Sequence, residues 1–118
     1  MRAVLVSSDL MVVSRVQGAA TAGAVSLFAV ATAVAAIEIH RTESLDLVLV
    51  DLSAPSFQIS ELVDGLKSAG ARAPRIVAFG PHVHEERLAA ARAAGCDLVV
   101  SRGKFFSDVD RILVGLAN

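Results

Sequence analysis

Short unbroken apolar runs alternate along the chain with longer segments in which apolar residues recur every three or four positions. Ala3-Val4-Leu5-Val6 is the first run, and it ends in Ser7-Ser8-Asp9. Such a sequence predicts a strand buried on both faces, followed by a helix cap. Leu10, Val13 and Val16 then stand at helical spacing, predicting a helix over Leu10–Ala22. Val25–Val30 predicts a second strand and Ala33–Arg41 a second helix, and Leu47-Val48-Leu49-Val50, closed by Asp51, is the clearest strand of all. Past the loop at Pro55, Ser60 is the expected cap of a helix that turns Leu62, Val63 and Leu66 inward and stops at Gly70. Ile76–Phe79 predicts the fourth strand. Glu85 and Glu86 open the next helix, Arg92 falls late in it and Gly95 ends it, a charge order that complements the helix dipole. Leu98-Val99-Val100 is the fifth strand, and Val109, Ile112, Leu113 and Leu116 give the last helix one apolar face.

Five βα units whose strands are continuously apolar mean a parallel sheet covered by helices on both sides, an α/β doubly wound fold. With no linker, repeat or low-complexity block, residues 1–118 read as a single domain with no output domain. In such sheets the functional crevice lies beyond the carboxyl ends of the strands. That rule selects Ser7, Ser8 and Asp9, then Asp51, then Gly80 through His84, and finally Ser101, Arg102 and Lys104.

Composition complicates this picture at one point. Val16–Ile37 runs 22 residues without a charge, long enough to cross a bilayer. It carries Gln17, Gly18, Thr21, Gly23, Ser26 and Thr32, however, and much of its apolar content is Ala. The break at residues 21–23 predicts a helix end, a short buried strand and a helix start, and no membrane span. Of the 118 residues, 64 are apolar and 38 of these are Ala or Val, which suits strands and helices in close contact. The net charge of −1 and the absence of Trp and Tyr argue against nucleic acid as a partner. Cys96, the only cysteine, rules out an internal disulfide and fits a reducing cytoplasm, where it is expected to be a partly buried, inert thiol. His82 and His84 supply two ligands where a zinc site needs three or four, so no metal is expected there. Neither nucleotide-binding glycine fingerprint is present.

The segments LDLVLVDLSAP and ERLAAARAAGCDLVVSR carry a resemblance across nearly the whole chain to the receiver (CheY-like) domain of two-component response regulators. The resemblance implies a flavodoxin-like (βα)5 fold, with Asp51 at the phosphoacceptor position. It places Ser7 and Ser8, with Asp9 one residue beyond, where the family has its Mg²⁺-holding acidic pair. Gly80, fifteen residues before Gly95, falls at the family's Thr or Ser, and Arg102, seven residues after Gly95, at its Lys. Gly103 replaces the Pro that follows this Lys, and Val99 the aromatic switch residue. Asp51 thus keeps its place without the machinery around it. A structural Asp51, bonded to backbone N–H groups or to Ser7 and Ser8, is the competing expectation, as is an Asp51–Arg102 ion pair that holds one conformation.

These departures imply a non-enzymatic pseudo-receiver that docks to another signalling protein, a histidine kinase or an output protein, or to a second copy of itself. The resemblance assigns docking to a face containing Leu88, Val99, Phe105 and Phe106. No cofactor is expected. Two alternatives stand beside this reading. One is an atypical receiver phosphorylated on Asp51, the only case that calls for Mg²⁺. The other is a flavodoxin-like domain binding a small anion or metabolite at Ser7, Ser8, His82 and Arg102.

Overall fold

A computed structural model describes residues 1–53, 58–70 and 72–115. Strands and helices alternate from end to end: β1 (Arg2–Val6), α1 (Leu10–Ala22), β2 (Ser26–Val30), α2 (Ala33–Glu43), β3 (Leu47–Asp51), α3 (Ile59–Ser68), β4 (Arg75–Gly80), α4 (Glu85–Ala94), β5 (Leu98–Ser101) and α5 (Arg102–Leu113). The strands form one parallel sheet in the order β2-β1-β3-β4-β5. This is the flavodoxin-like (βα)5 arrangement, and its strand order reverses between β1 and β3. Val6 pairs with Val50 across that switch point, so the residues that follow both strands meet at one end of the sheet.

Alternation along each buried strand divides the interior into two cores. Ala3, Leu5, Leu47, Leu49, Val77 and Phe79 face α1 and α5, where Val12, Val16, Phe105 and Leu113 complete the packing. Val4, Val6, Val48, Val50, Ile76 and Ala78 face the other way, onto Ala36 of α2, Leu62 and Leu66 of α3, and Leu88 and Ala91 of α4. Local chemistry sets the helix ends. Asp9 Oδ1 accepts from the Met11 and Val12 N–H groups at 2.9 and 3.4 Å, Thr32 caps α2 through Ala35 at 3.2 Å, and Gly95 closes α4 with φ of 98°.

Four sequence expectations change. The second strand is not buried: β2 is the sheet edge and its residues are exposed or half-buried, because a strand with one neighbour is only partly covered. It also begins at Ser26, one residue later than predicted. Ser60 does not cap α3, which starts at Ile59 behind Gln58 with no side-chain cap bond. Gly70 lies beyond the helix, whose C-cap is Ala69; a Cβ at Gly70 would sit 2.9 Å from His40 Nε2, so the glycine permits close approach to that buried imidazole. His40 in turn accepts the Leu45 N–H on Nδ1 at 3.0 Å. Pro55 and Leu116 lie outside the described residues. The uncharged stretch divides among α1, β2 and α2, and among the described residues no helix is long and apolar enough to cross a membrane.

Candidate functional site

Asp51 is the last residue of β3, beside the end of β1, and its side chain is 5% exposed. A buried carboxylate needs hydrogen bonds to offset lost hydration. Ser7 supplies one, its hydroxyl donating to Oδ2 at 2.8 Å, and the Ser53 N–H donates to Oδ1 at 3.0 Å. The Asp9 N–H donates to Ser7 Oγ at 3.2 Å, which orients that hydroxyl toward Asp51. Ser8 is exposed and makes no contact of this kind.

Asp9 is turned to other work. Its Oδ1 caps α1, and its Oδ2 faces Arg102 Nη2 at 3.4 Å. The Met11 and Val12 N–H groups, with Arg102 a smaller influence, hold the Asp9 carboxyl below its ordinary range. Arg102 therefore pairs with Asp9, and the expected Asp51–Arg102 ion pair is absent. The reason is position: Arg102 opens α5 beside the first turn of α1, while Asp51 is already enclosed by Ser7 and Ser53.

A Mg²⁺ ion of the kind the fold family employs does not fit this donor set. It takes octahedral oxygen ligands, of which the protein supplies one or two free carboxylates and water most of the rest. Here Ser7 commits its hydroxyl to Asp51 and both Asp9 oxygens are engaged. No group of three or more His, Cys, Asp or Glu able to hold a metal occurs among the described residues, His82 and His84 included. Gly80 closes β4, and a Cβ there would lie 3.3 Å from the Leu52 Cβ. Leu52 thus crowds the place where a Thr or Ser side chain would begin.

Arg87 was not among the residues singled out by sequence. Its Nη1 donates to the carbonyls of Leu52 and Ser53 at 3.0 and 2.9 Å, clasping the two residues after Asp51 onto α4. A signal for it was present, since a cation in the first turn of a helix opposes the dipole and needs a tertiary reason. The proposed docking face also changes. Phe105 is fully buried in one core and Leu88 is buried in the other, so neither side chain is available to a partner at the surface. Val99 and Phe106 are half-buried.

Cys96 is half-buried, and desolvation together with the Asp97 charge pushes its thiol up to about 11. Relative to an ordinary thiol near 8.5, the thiolate fraction at neutral pH falls roughly 300-fold, and the greater basicity of the sulfur recovers part of that. Alkylation by iodoacetamide at pH 7.5 is accordingly expected to run roughly 20-fold slower in the native protein than in the chain unfolded in urea. Equal rates would show that the environment of Cys96 leaves it unprotected.

No family model matches the sequence, and no curated protein matches it. Solved structures do match over nearly the full length. A response regulator from Hahella chejuensis is 19% identical with a TM-score of 0.81, over 99% of this chain and 95% of that one. The receiver domain of the sensor histidine kinase PA1611 from Pseudomonas aeruginosa, solved with a magnesium ion in its active-site cleft, is 17% identical with a TM-score of 0.78, over 95% and 93%. HP1043, an orphan response regulator of H. pylori, is 14% identical with a TM-score of 0.77, over 99% and 97%. At such identities the likeness establishes the receiver fold, and the chemistry has to be argued from the residues of this chain.

Proposed function

With the receiver fold as premise, we propose that this chain is a pseudo-receiver, a signalling module of the two-component type that works by docking to another protein. The observation that carries this reading is the state of Asp51. Its two oxygens are occupied by neutral donors from Ser7 and Ser53, and a buried hydroxyl stands where a receiver needs a second carboxylate. Phosphoryl transfer to Asp51 would displace the donor on whichever oxygen takes the phosphoryl group, and would add negative charge with no second carboxylate beside it to hold the metal ion that offsets such charge. The same end of the sheet has instead an apolar rim. Leu10 and Met11 in the first turn of α1, Val34 in the first turn of α2, and Val83 after β4 are each at least 70% exposed. Exposed apolar side chains gathered at one end favour contact with another protein. The partner, from the resemblance, is a cytoplasmic histidine kinase or output protein. The Arg87 clasp holds the Leu52 and Ser53 backbone beside Asp51 in a single arrangement.

The test has two arms. Incubation with a small phosphoryl donor and Mg²⁺ is expected to leave the intact mass unchanged; a phosphoryl adduct that disappears in Asp51→Asn would establish the atypical receiver in its place. Affinity for a purified kinase or output protein is expected to fall about tenfold or more in the double variant Leu10→Asp, Met11→Asp, whose added charge suits the positive end of α1 and spares the fold. Undiminished affinity would remove the rim from the interface.

A further inference from the structure

Beside the Asp51 crevice, between α1 and α5, lies a cleft of about 610 Å³ lined by Arg15, His82, Arg102, Gly103, Phe106 and Ser107. Two guanidinium groups converge on one aromatic ring there. The Arg15 guanidinium carbon is 4.0 Å from the Phe106 ring centroid and that of Arg102 is 5.9 Å from it. Stacking on a ring holds the plane of a guanidinium while leaving its in-plane N–H donors open. Among the described residues Arg15 forms no ion pair, and Arg102 has only the 3.4 Å contact with Asp9. The cleft's described lining thus carries two permanent cations and no carboxylate, Asp9 reaching only Arg102 from outside it, and the Ser107 hydroxyl and the His82 imidazole border the same space. Two other clefts differ in balance. At the opposite end of β4, Lys67 and Arg75 share a cleft with Asp97, and Val83–Arg87 border another in which Glu85 and Glu86 accompany Arg87.

We propose that this α1–α5 cleft binds a phosphate-bearing small molecule, its phosphoryl oxygens taken by Arg15 and Arg102 with His82 and Ser107 at the margin. Planar forked donors match a phosphoryl group by paired N–H···O bonds, and two like charges held near one ring are relieved by a divalent anion. The volume falls in the range of small-ligand sites, about 300–1,000 Å³. Because the cleft holds neither Asp51 nor Ser7, the proposal is independent of whether Asp51 is phosphorylated and of where a protein partner docks.

Calorimetric titration of the full chain with inorganic pyrophosphate and, separately, with ADP, at ionic strength held constant with sodium chloride, tests it. Saturable one-to-one binding is expected, weakened about tenfold or more in Arg15→Gln and in Arg102→Gln. Arg111→Gln, at the far end of α5, is expected to bind as the wild type does. Tighter binding of ADP than of pyrophosphate would support an organic phosphate as the occupant, and equal affinity the phosphate group alone. Absence of saturable binding to both, or an equal loss in Arg111→Gln, would overturn the proposal, the latter by reducing it to net charge. Thermal unfolding of each variant with no ligand added identifies any loss due to misfolding, and Arg15→Lys, which keeps the charge and the stem but not the fork, is expected to retain only part of the affinity.

Discussion

Phe105→Ala is expected to destabilise the protein by about 3–5 kcal/mol, the cost of emptying a fully packed aromatic site. Phe105 is wholly buried, its ring stacked on Phe79 with centroids 3.9 Å apart and planes 7° from parallel, while Phe106 closes the cluster edge-on at 5.2 Å. Phe79 comes from the interior strand β4, between β3 and the edge strand β5, so the pair ties α5 to the sheet. In a chain of this size the loss corresponds to a fall in Tm of roughly 10–20 °C. Denaturant unfolding with both native and variant chains measures it directly. Phe106→Ala, at a half-buried ring, is expected to cost clearly less. A Phe105→Ala chain as stable as the wild type would show that the Phe79–Phe105 stack contributes nothing to the fold.

The second large effect is expected at the Asp51 crevice. Ser7→Asp replaces a donor at 2.8 Å from Asp51 Oδ2 with a second carboxylate, in a place where both residues are less than a tenth exposed. Two buried like charges without a counter-ion cost about 3 kcal/mol or more at neutral pH. The variant relieves the repulsion by retaining one proton, which raises the folded-state pKa of the carboxyl pair above its unfolded value near 4. Between those two values the folded state binds more protons than the unfolded one, so stability falls as pH rises and is recovered toward acid. Unfolding midpoints from pH 4.5 to 8 are therefore expected to decline in Ser7→Asp relative to the wild type. Millimolar Mg²⁺ is expected to raise the midpoint of the variant and not of the wild type, because only the variant presents two adjacent carboxylates. A variant with the wild-type pH profile and no response to Mg²⁺ would separate Ser7 from Asp51.

How much of this was legible beforehand depends on the range of the interaction involved. β3 was plain, because Leu47–Val50 is apolar at every position and every one of those residues is buried. The caps at Asp9 and Gly95 were plain for the same reason: the group that satisfies the helix end lies within a turn of it. β2 has much the same composition as β3, yet it lies at the edge, since strand order follows from which helices pack on which face and leaves no mark in a six-residue run. Phe105 and Phe106 are adjacent in sequence, and a helix separates neighbours by about 100°, so a modest rotation of α5 decides which ring enters the core. That rotation is set by Phe79, far away in the chain.

Taken alone, the sequence determined the βα alternation, the parallel doubly covered sheet, and the place of Asp51 at a strand end among neutral residues where a receiver is acidic. All of these rest on local periodicity and on the identity of single side chains. The tertiary structure decided the pairings: Ser7 with Asp51, 44 positions apart, and Arg102 with Asp9, 93 positions apart. It also brought Arg15 and Arg102 over one face of α5 and set Arg87 on the loop after Asp51. Charge–charge and hydrogen-bond partners are selected by distance in space, and for residues on different elements that distance exists only once the strands have taken their order and the helices their faces.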